Sequence, residues 1–260
     1  MEYFIVDAFT DELFRGNPAG VCLVENPLSE QTMQAIAAEN NLSETAFVAA
    51  NGDGYDLRWF TPETEIDLCG HATLATAYVL HRLVAPDRTT YRFHTMSGEL
   101  VVTAADERLE MDFPARPPTS TTLSPATAAA IGAPVLEAHQ SRDLILLLES
   151  AEAVRTLAPD LARLAALPEP FAVVVTARGG DDADFVSRFF APGAGIPEDP
   201  VTGSSHASLI PYWAARLGKT EMTARQLSRR GGTLYCRDAG SRVFIGGYAR
   251  LYLRGNIVAF

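Results

Sequence analysis

The stretch YDLRWFTPETEIDLCGHATLATAYVL (residues 55–80) decides the fold, because its pattern returns as FVSRFFAPGAGIPEDPVTGSSHA (residues 185–207). Each stretch begins with a strand pattern that contains aromatic residues, continues into an acidic loop with glycine, and then opens a long helix pattern. One supersecondary unit used twice is typical of a protein built from two similar halves. The repeat therefore predicts two similar lobes.

The segments around the repeat predict a mixed α+β protein in which strands outnumber helices. The stretch SEQTMQAIAAENN (residues 29–41) predicts a helix with Ser29 as its N-cap. The stretch SAEAVRTLAPDLARLAAL (residues 150–167) predicts another helix. Short apolar or alternating runs elsewhere predict strands.

A change of composition indicates where one lobe ends. The stretch ARPPTSTTLSP (residues 115–125) is rich in Pro, Ser and Thr, which is typical of a connection between domains. We therefore expect an N-terminal lobe over residues 1–115 and a C-terminal lobe over residues 116–260. The last strand of the chain can instead belong to the N-terminal lobe.

Composition excludes several classes of protein. The chain has 260 residues, 47% of them hydrophobic, and a net charge of -11, which disfavours a nucleic-acid partner. No apolar run approaches the roughly 18 residues of a membrane span. Cys22, Cys69 and Cys236 are far apart and form no CxxC pair, so neither a disulfide framework nor a zinc site is expected. The N-terminal stretch lacks the pattern of a signal peptide, and we expect a cytoplasmic protein.

Glycine and small residues stand at the start of both helix patterns. They form the motifs CGHAT (residues 69–73) and TGSSHA (residues 202–207). Free backbone N–H groups and the positive end of the helix dipole make such a place suitable for an anion. If the lobes face each other, two helix starts converge on one cleft that suits a carboxylate. Gly, Ser and Thr are also ordinary helix caps, and this alternative stays open.

Three polar residues beside these helix starts are candidates for chemistry. His71 follows the first glycine, where the dipole favours a neutral imidazole that can donate to a carboxylate or relay a proton. Asp199 precedes Pro200 and can act as an acid/base or hold a substrate amine or hydroxyl. Ser204 can donate to a bound anion. Each of the three can instead serve only as a cap or a surface residue.

Glu44 lies in the stretch NNLSETAFV (residues 40–48), which alternates as a strand does. The face that carries Glu44 is otherwise apolar. Such a carboxylate can transfer protons in a dry cleft, or it can be an inward charge that protects an edge strand from pairing. Alternation alone favours the edge strand.

Four blocks, in order along the chain, resemble the phenazine-biosynthesis isomerase-like (PhzF-type) family. They are VDAFTDELFRGNPAGVCLVE (6–25), ENNLSETAFV (39–48), LRWFTPETEIDLCGHATLATAYVL (57–80) and EDPVTGSSHASLIPYW (198–213). The resemblance covers essentially the whole chain. It implies the diaminopimelate epimerase-like fold: two pseudo-symmetric α+β lobes, each a curved, mostly antiparallel sheet around a central helix, with the active site between them.

The resemblance also implies an activity. In that family the glutamate of the SET block moves a proton between carbons of a dihydro-hydroxyanthranilate ring without metal or cofactor. Glu44 takes this acid/base role by resemblance, with His71 and Asp199 as the other catalytic residues. The substrate-binding positions that it implies are the helix-start residues Gly70, His71, Gly203 and Ser204. We therefore expect a cofactor-independent biosynthetic isomerase of a small carboxylate-bearing substrate, and a homodimer.

Two alternatives remain open. The amino-acid epimerases of this fold place one cysteine on each loop, because inversion needs a base on each face. Here Cys69 occupies the first loop, but Thr202 occupies the second, so a racemase would have to pair Cys69 with Glu44 or Asp199. Cys69 can instead be a small packed residue. The second alternative is a non-catalytic protein that binds a small molecule.

Overall fold

The computed structural model describes residues 1–258, and the chain divides into two compact units. The first unit is Met1–Asp112 together with the chain from Gly246 onward, and the second is Phe113–Ile245. The division thus falls at residue 112, where the sequence suggested 115, and the last strand belongs to the first unit.

The first unit contains most of the chain's long strands. Its strands are β1 (Glu2–Ala8), β2 (Asn17–Leu23), β3 (Glu44–Asn51), β4 (Gly54–Phe60), β5 (Glu65–Ile66), β6 (Thr90–Thr95), β7 (Gly98–Ala105), β8 (Arg108–Pro114) and, from the end of the chain, β18 (Ala249–Asn256). Its helices are α1 (Glu30–Asn40) and α2 (Gly70–Val79), and a π-helical turn (Leu80–Val84) extends α2.

The second unit follows the same plan with shorter strands. Its strands are β9 (Thr119–Ser120), β10 (Glu137–Gln140), β11 (Leu144–Leu147), β12 (Val173–Arg178), β13 (Phe185–Ala191), β14 (Ile196–Asp199), β15 (Glu221–Gln226), β16 (Gly232–Ala239) and β17 (Arg242–Gly247). Its helices are α3 (Pro125–Ile131), α4 (Ala151–Thr156), α5 (Leu161–Ala165) and α6 (Gly203–Leu217). Among residues 1–258, no helix combines the length and apolar character needed to cross a bilayer.

The strand pairings repeat between the units. In the first unit β3 is parallel to β2 and antiparallel to β4, and β4 also pairs antiparallel with β5 and parallel with β6. In the second unit β12 is parallel to β11 and antiparallel to β13, and β13 pairs antiparallel with β14 and parallel with β15. In both units the long helix follows the short strand along the chain and precedes the strand that pairs in parallel. Helix α2 thus lies between β5 and β6 in sequence, and α6 lies between β14 and β15. The predicted α+β fold with two similar halves is confirmed.

Each long helix supplies apolar surface to the interior of its unit. Nine of the ten residues of α2 are buried, and the helix packs against β1, β2 and β3. Ten of the fifteen residues of α6 are buried. A helix that is apolar on nearly all sides has to lie inside a core, and this burial fixes the helix start as well.

The predicted helix α1 is confirmed together with its cap. The hydroxyl of Ser29 accepts a hydrogen bond from the backbone N–H of Thr32 at 3.1 Å. Asn41 ends the helix in the left-handed conformation, with φ of 50°, which asparagine tolerates better than most residues.

The prediction of one helix over residues 150–167 is wrong. The structure has two short helices there, α4 and α5, separated by residues 157–160. Pro159 has no N–H to donate and disfavours helical backbone at the preceding residue, so the first helix ends before it. Asp160 then caps α5 by accepting from the N–H of Arg163 at 3.0 Å.

We expect Leu74→Ala to destabilise the fold, because this residue of α2 is fully buried. Removing the side chain should leave a cavity and lower the free energy of unfolding by about 2–5 kcal/mol, measured by urea denaturation. The matched control is Leu83→Ala, whose residue is 39% exposed, and which should change stability by less than about 0.5 kcal/mol. Equal losses in the two variants would contradict the central position of α2.

Candidate active site

Glu44 is the first residue of β3, and this strand lies inside a sheet. It pairs with β2 on one side and β4 on the other, so the edge-strand explanation of Glu44 is wrong. Residues 44–48 are all buried, because neighbours cover both faces of the strand. Glu44 itself is 7% exposed, which leaves its carboxylate in a largely dry environment.

Cys69 and His71 flank the first residue of α2. Cys69 is the N-cap residue, yet its side chain makes no capping hydrogen bond. Its carbonyl oxygen instead accepts from the hydroxyl of Thr73 at 2.6 Å. Both Cys69 and His71 are buried, so His71 is not the surface residue that the sequence left open, while the burial of Cys69 fits the alternative of a small packed residue.

The imidazole of His71 lies between a carboxylate and a thiol. Its Nε2 atom is 3.1 Å from Oε2 of Glu44, and its Nδ1 atom is 3.5 Å from Sγ of Cys69. The short distance between Nε2 and Oε2 permits strong attraction, but the two atoms are not aligned for a hydrogen bond. Both are shielded from solvent and have no hydrogen-bond partner among the described residues. The pair can therefore still bond to another group.

The charges around His71 favour its protonated form. Burial lowers the pKa of His71, but the neighbouring Cys69 and Glu44 side chains raise it, and the net pKa is well above its usual value. Burial also raises the pKa of the Cys69 thiol, and the charge of Glu44 raises it further. Because this thiol is then neutral near pH 7, Glu44 is the charge that retains the proton on His71.

The expectation of a neutral imidazole at the helix start is therefore corrected. The helix dipole acts against a cation there by about 0.3–1 kcal/mol. A carboxylate 3.1 Å away in a buried site is a stronger influence on the imidazole. The helix start was visible in the sequence, but the contact with β3 was not.

Asp199 and the start of α6 form a second polar group, in the second unit. Asp199 ends β14, and its Oδ2 atom accepts from the hydroxyl of Thr202, the N-cap residue of α6. Gln226 donates to the carbonyl oxygen of Asp199 at 2.8 Å and accepts from the N–H of Thr202 at 2.9 Å. Asp199 is therefore held beside the helix start by two residues.

Sequence reasoning had not assigned these two roles. It treated Thr202 only as a poor base in the place of a second cysteine, whereas its hydroxyl orients Asp199. Gln226 lies in β15, and nothing in the local sequence signals its contact with a residue in β14. The helix-start residues themselves are where the sequence placed them: Gly203 is buried and Ser204 is half-buried at the first turn of α6.

Glu44, Cys69 and His71 also form a cluster of three potential metal ligands. One ligand atom of each lies within 4.8 Å of the others, and zinc accepts all three ligand types. In the observed arrangement, however, different ring nitrogens of His71 face the thiol and the carboxylate. One ion can take only one of these nitrogens, so three-ligand binding would require the ring to turn. Independence from metals stays a prediction.

The chain has the expected diaminopimelate epimerase-like fold. A solved structure of a probable proline racemase from Agrobacterium radiobacter is similar, with a TM-score of 0.65 at 11% identity. The match covers 100% of this chain and 93% of that one. At such low identity the likeness shows the fold alone.

The family is narrower than the fold. Residues 6–255 match the phenazine biosynthesis-like protein family (PhzC-PhzF), and the chain belongs to this family. A Pseudomonas aeruginosa protein named as an uncharacterized isomerase is 51% identical over 258 residues, which are 99% of this chain and 98% of that protein. A crystal structure of a PhzF-family protein from Enterococcus faecalis has 50% identity and a TM-score of 0.95, and covers 98% of this chain and 97% of that one. The predicted resemblance is confirmed, and the relatives support an isomerase role.

We expect His71 to titrate well above its usual pKa of about 6.5 in an NMR titration of the histidine ring nitrogens. Its contribution to stability should be complete below about pH 6.5 and be lost as the pH rises through the raised value. Glu44→Gln removes the nearby charge and should lower the pKa of His71.

The internal control is His206, a buried histidine of α6 whose pKa is lowered by burial to about 4. It should titrate equally in the two proteins. A His71 signal that titrates below pH 6.5 in the unmodified protein would contradict the ion pair.

Proposed function

We propose that the protein is an isomerase that moves a proton between two carbon atoms of a small carboxylated substrate, with Glu44 as the general acid/base. The observation that supports it best is the contact between the buried carboxylate of Glu44 and His71. Oε2 of Glu44 has no hydrogen-bond partner among the described residues, so an acceptor in a dry environment is ready to take a proton.

The reaction needs no net change in protons. The Glu44 carboxylate removes a proton from a carbon conjugated with an electron-withdrawing group, and the electron pair of the C–H bond spreads into the substrate. The protonated Glu44 then returns that proton to another carbon. Positive charge on His71 and the N–H groups at the start of α2 stabilise the negative charge on the substrate.

The second unit has no carboxylate where the first has Glu44. In the parallel pair β2 and β3, the first two residues that lie opposite each other are Ala19 and Glu44. In the equivalent pair β11 and β12, they are Leu144 and Val173. A carboxylate at this strand position in one unit only suits a reaction in which a single group removes and returns the proton at carbon. It suits less well an inversion that needs one base on each face.

The other residues keep the roles that the resemblance implies. Asp199 orients the substrate or relays a proton. The backbone N–H groups at Gly70 serve as an anion-binding group in the first unit, and those at Gly203 serve as one in the second unit. Ser204 donates its hydroxyl to an anion bound at Gly203. The fixed position of Asp199 beside Thr202 supports a role that needs defined geometry. The proposal includes cofactor independence, a cytoplasmic location and a homodimer, which rest on the sequence.

One contact favours a second candidate, an amino-acid racemase that uses Cys69. The Sγ atom of Cys69 lies 3.5 Å from a ring nitrogen of His71, a distance at which a neutral imidazole can take a thiol proton, although the raised pKa of His71 favours the protonated ring. Burial opposes this activation, because it raises the pKa of the thiol. The position equivalent to Cys69 holds Thr202, whose hydroxyl is bonded to Asp199.

We expect Glu44→Gln to lower turnover of dihydro-hydroxyanthranilate by at least about 100-fold, because the variant keeps the shape of the side chain but cannot accept the proton. NMR of the reaction in D2O measures both turnover and the carbon that gains deuterium. The control is Glu39→Gln, an exposed acid at the end of α1, which should have full activity. Unchanged turnover in Glu44→Gln would exclude the proposed mechanism, and no turnover by the unmodified protein would favour the binding-protein alternative.

Substitution of Cys69 separates the isomerase from the racemase. Cys69→Ser and Cys69→Ala should retain isomerase turnover to within about tenfold, because the proton is transferred by Glu44. Neither the unmodified protein nor the variants should exchange the α-hydrogen of an amino acid with D2O. Exchange that the unmodified protein catalyses and Cys69→Ala abolishes would establish the racemase instead.

A further inference from the structure

The same two-bond ion pair occurs in both units, at equivalent places. In the first unit Arg58 donates from Nε and Nη2 to the two oxygens of Glu65, at 2.6 Å each. In the second unit Arg188 donates in the same way to the two oxygens of Glu198, at 2.7 and 3.0 Å. Two parallel bonds between a guanidinium and a carboxylate fix direction as well as distance.

Each pair joins the strand that enters the loop to the short strand inside that loop. The arginines lie on β4 and β13, and the glutamates lie on β5 and β14. Each guanidinium also lies over an aromatic ring two residues further along its strand. The distance to the ring centroid is 5.2 Å for Phe60 and 4.9 Å for Phe190. The whole arrangement is therefore repeated, and not merely the two charges.

The pair in the second unit is also shielded from solvent. The side chains of Arg188 and Glu198 are 11% and 24% exposed. The remaining nitrogen of Arg188 donates to the carbonyl oxygens of Val154 and Leu157, at 3.1 and 2.6 Å. Such a pair differs from an exposed one, which contributes about 0–1 kcal/mol and restrains little.

The two glutamates precede the two helix starts by the same number of residues. Glu65 lies four positions before Cys69, and Glu198 lies four positions before Thr202, the N-cap residues of α2 and α6. Glu198 is moreover the immediate neighbour of Asp199. Fixing the Glu198 side chain therefore fixes the backbone from which the Asp199 carboxylate extends.

We propose that Glu198 and Arg188 are positioning residues for Asp199 and the start of α6, and that Glu65 and Arg58 do the same for the start of α2 and His71. The inference rests on the proposed function and deepens it, since it names residues that act through the site without touching substrate. Gln226 holds Asp199 independently, so loss of the ion pair should misplace the carboxylate without unfolding the segment. The effect should then fall on kcat more than on stability.

The test compares Glu198→Ala and Glu198→Gln with a control pair. Glu198→Ala should lower kcat for dihydro-hydroxyanthranilate by about 10- to 100-fold, because small misplacements of catalytic groups are costly, with KM changed less than kcat. Glu198→Gln keeps one acceptor oxygen and should recover part of the loss. Glu99→Gln removes the charge from the exposed pair with Arg92, whose atoms are 2.9 Å apart, and should have full activity. A lower urea midpoint with unchanged kcat would overturn the proposal and leave a purely structural role.

A double-mutant cycle tests whether Glu198 acts through Asp199. In the Asp199→Asn background, Glu198→Ala should cause little further loss of kcat. An equal loss in both backgrounds would overturn the proposal. If Asp199→Asn alone has full activity, the proposed role of Asp199 fails, and the positioning role fails with it, whereas the role of Glu44 stands on its own variant.

A measurement without substrate separates the inference from the proposed function. Amide hydrogen exchange of a peptide that covers residues 199–204, followed in the full chain, should be faster in Glu198→Ala than in the unmodified protein and unchanged in Glu99→Gln. Unchanged exchange in Glu198→Ala would overturn the positioning role whatever reaction the protein catalyses.

Discussion

The contact between the Glu44 carboxylate and the His71 imidazole, 3.1 Å apart inside the first unit, is the interaction on which the account depends. Each ion would cost on the order of several kcal/mol to bury alone, and the pair offsets part of that cost only if both groups are held in place. The sheet holds Glu44 on an interior strand, and the core holds the start of α2. The strands and the helix are thus the means of retaining two charges in a dry site.

Local sequence patterns predicted the architecture better than they predicted the surroundings of Glu44 and the charge of His71. The repeat of residues 55–80 and 185–207 led to two similar halves, and the strand pairings repeat accordingly. Alternation suggested an edge strand for Glu44, and this was wrong because β3 pairs with β2 on one side and β4 on the other, which the alternation of a single strand does not reveal. The charge of His71 was misjudged for the same reason, since its partner belongs to another element. The break between α4 and α5 was also missed, although Pro159 is a local signal for it.

The duplicated plan and the unequal chemistry of the units belong together. Both helix starts satisfy the N-cap carbonyl with a side chain four positions later: Thr73 donates to Cys69 at 2.6 Å, and the ring of His206 lies 2.8 Å from the oxygen of Thr202. Both loops are restrained by an arginine–glutamate pair. What differs is the side chain at the start of the central strand, Glu44 in one unit and Val173 in the other. A common frame thus carries a carboxylate at this strand position in the first unit only.

The central claim is that one group, Glu44, both removes and returns the proton. The most direct measurement uses dihydro-hydroxyanthranilate with deuterium at the carbon that loses its hydrogen, converted in ordinary water and analysed by NMR and mass spectrometry in a single turnover. A single buried carboxylate should carry part of the deuterium to the new carbon, because the protonated Glu44 exchanges slowly with solvent. The contradicting result is a product without transferred deuterium at any pH or temperature, while turnover still requires Glu44. It would indicate that separate groups remove and return the proton.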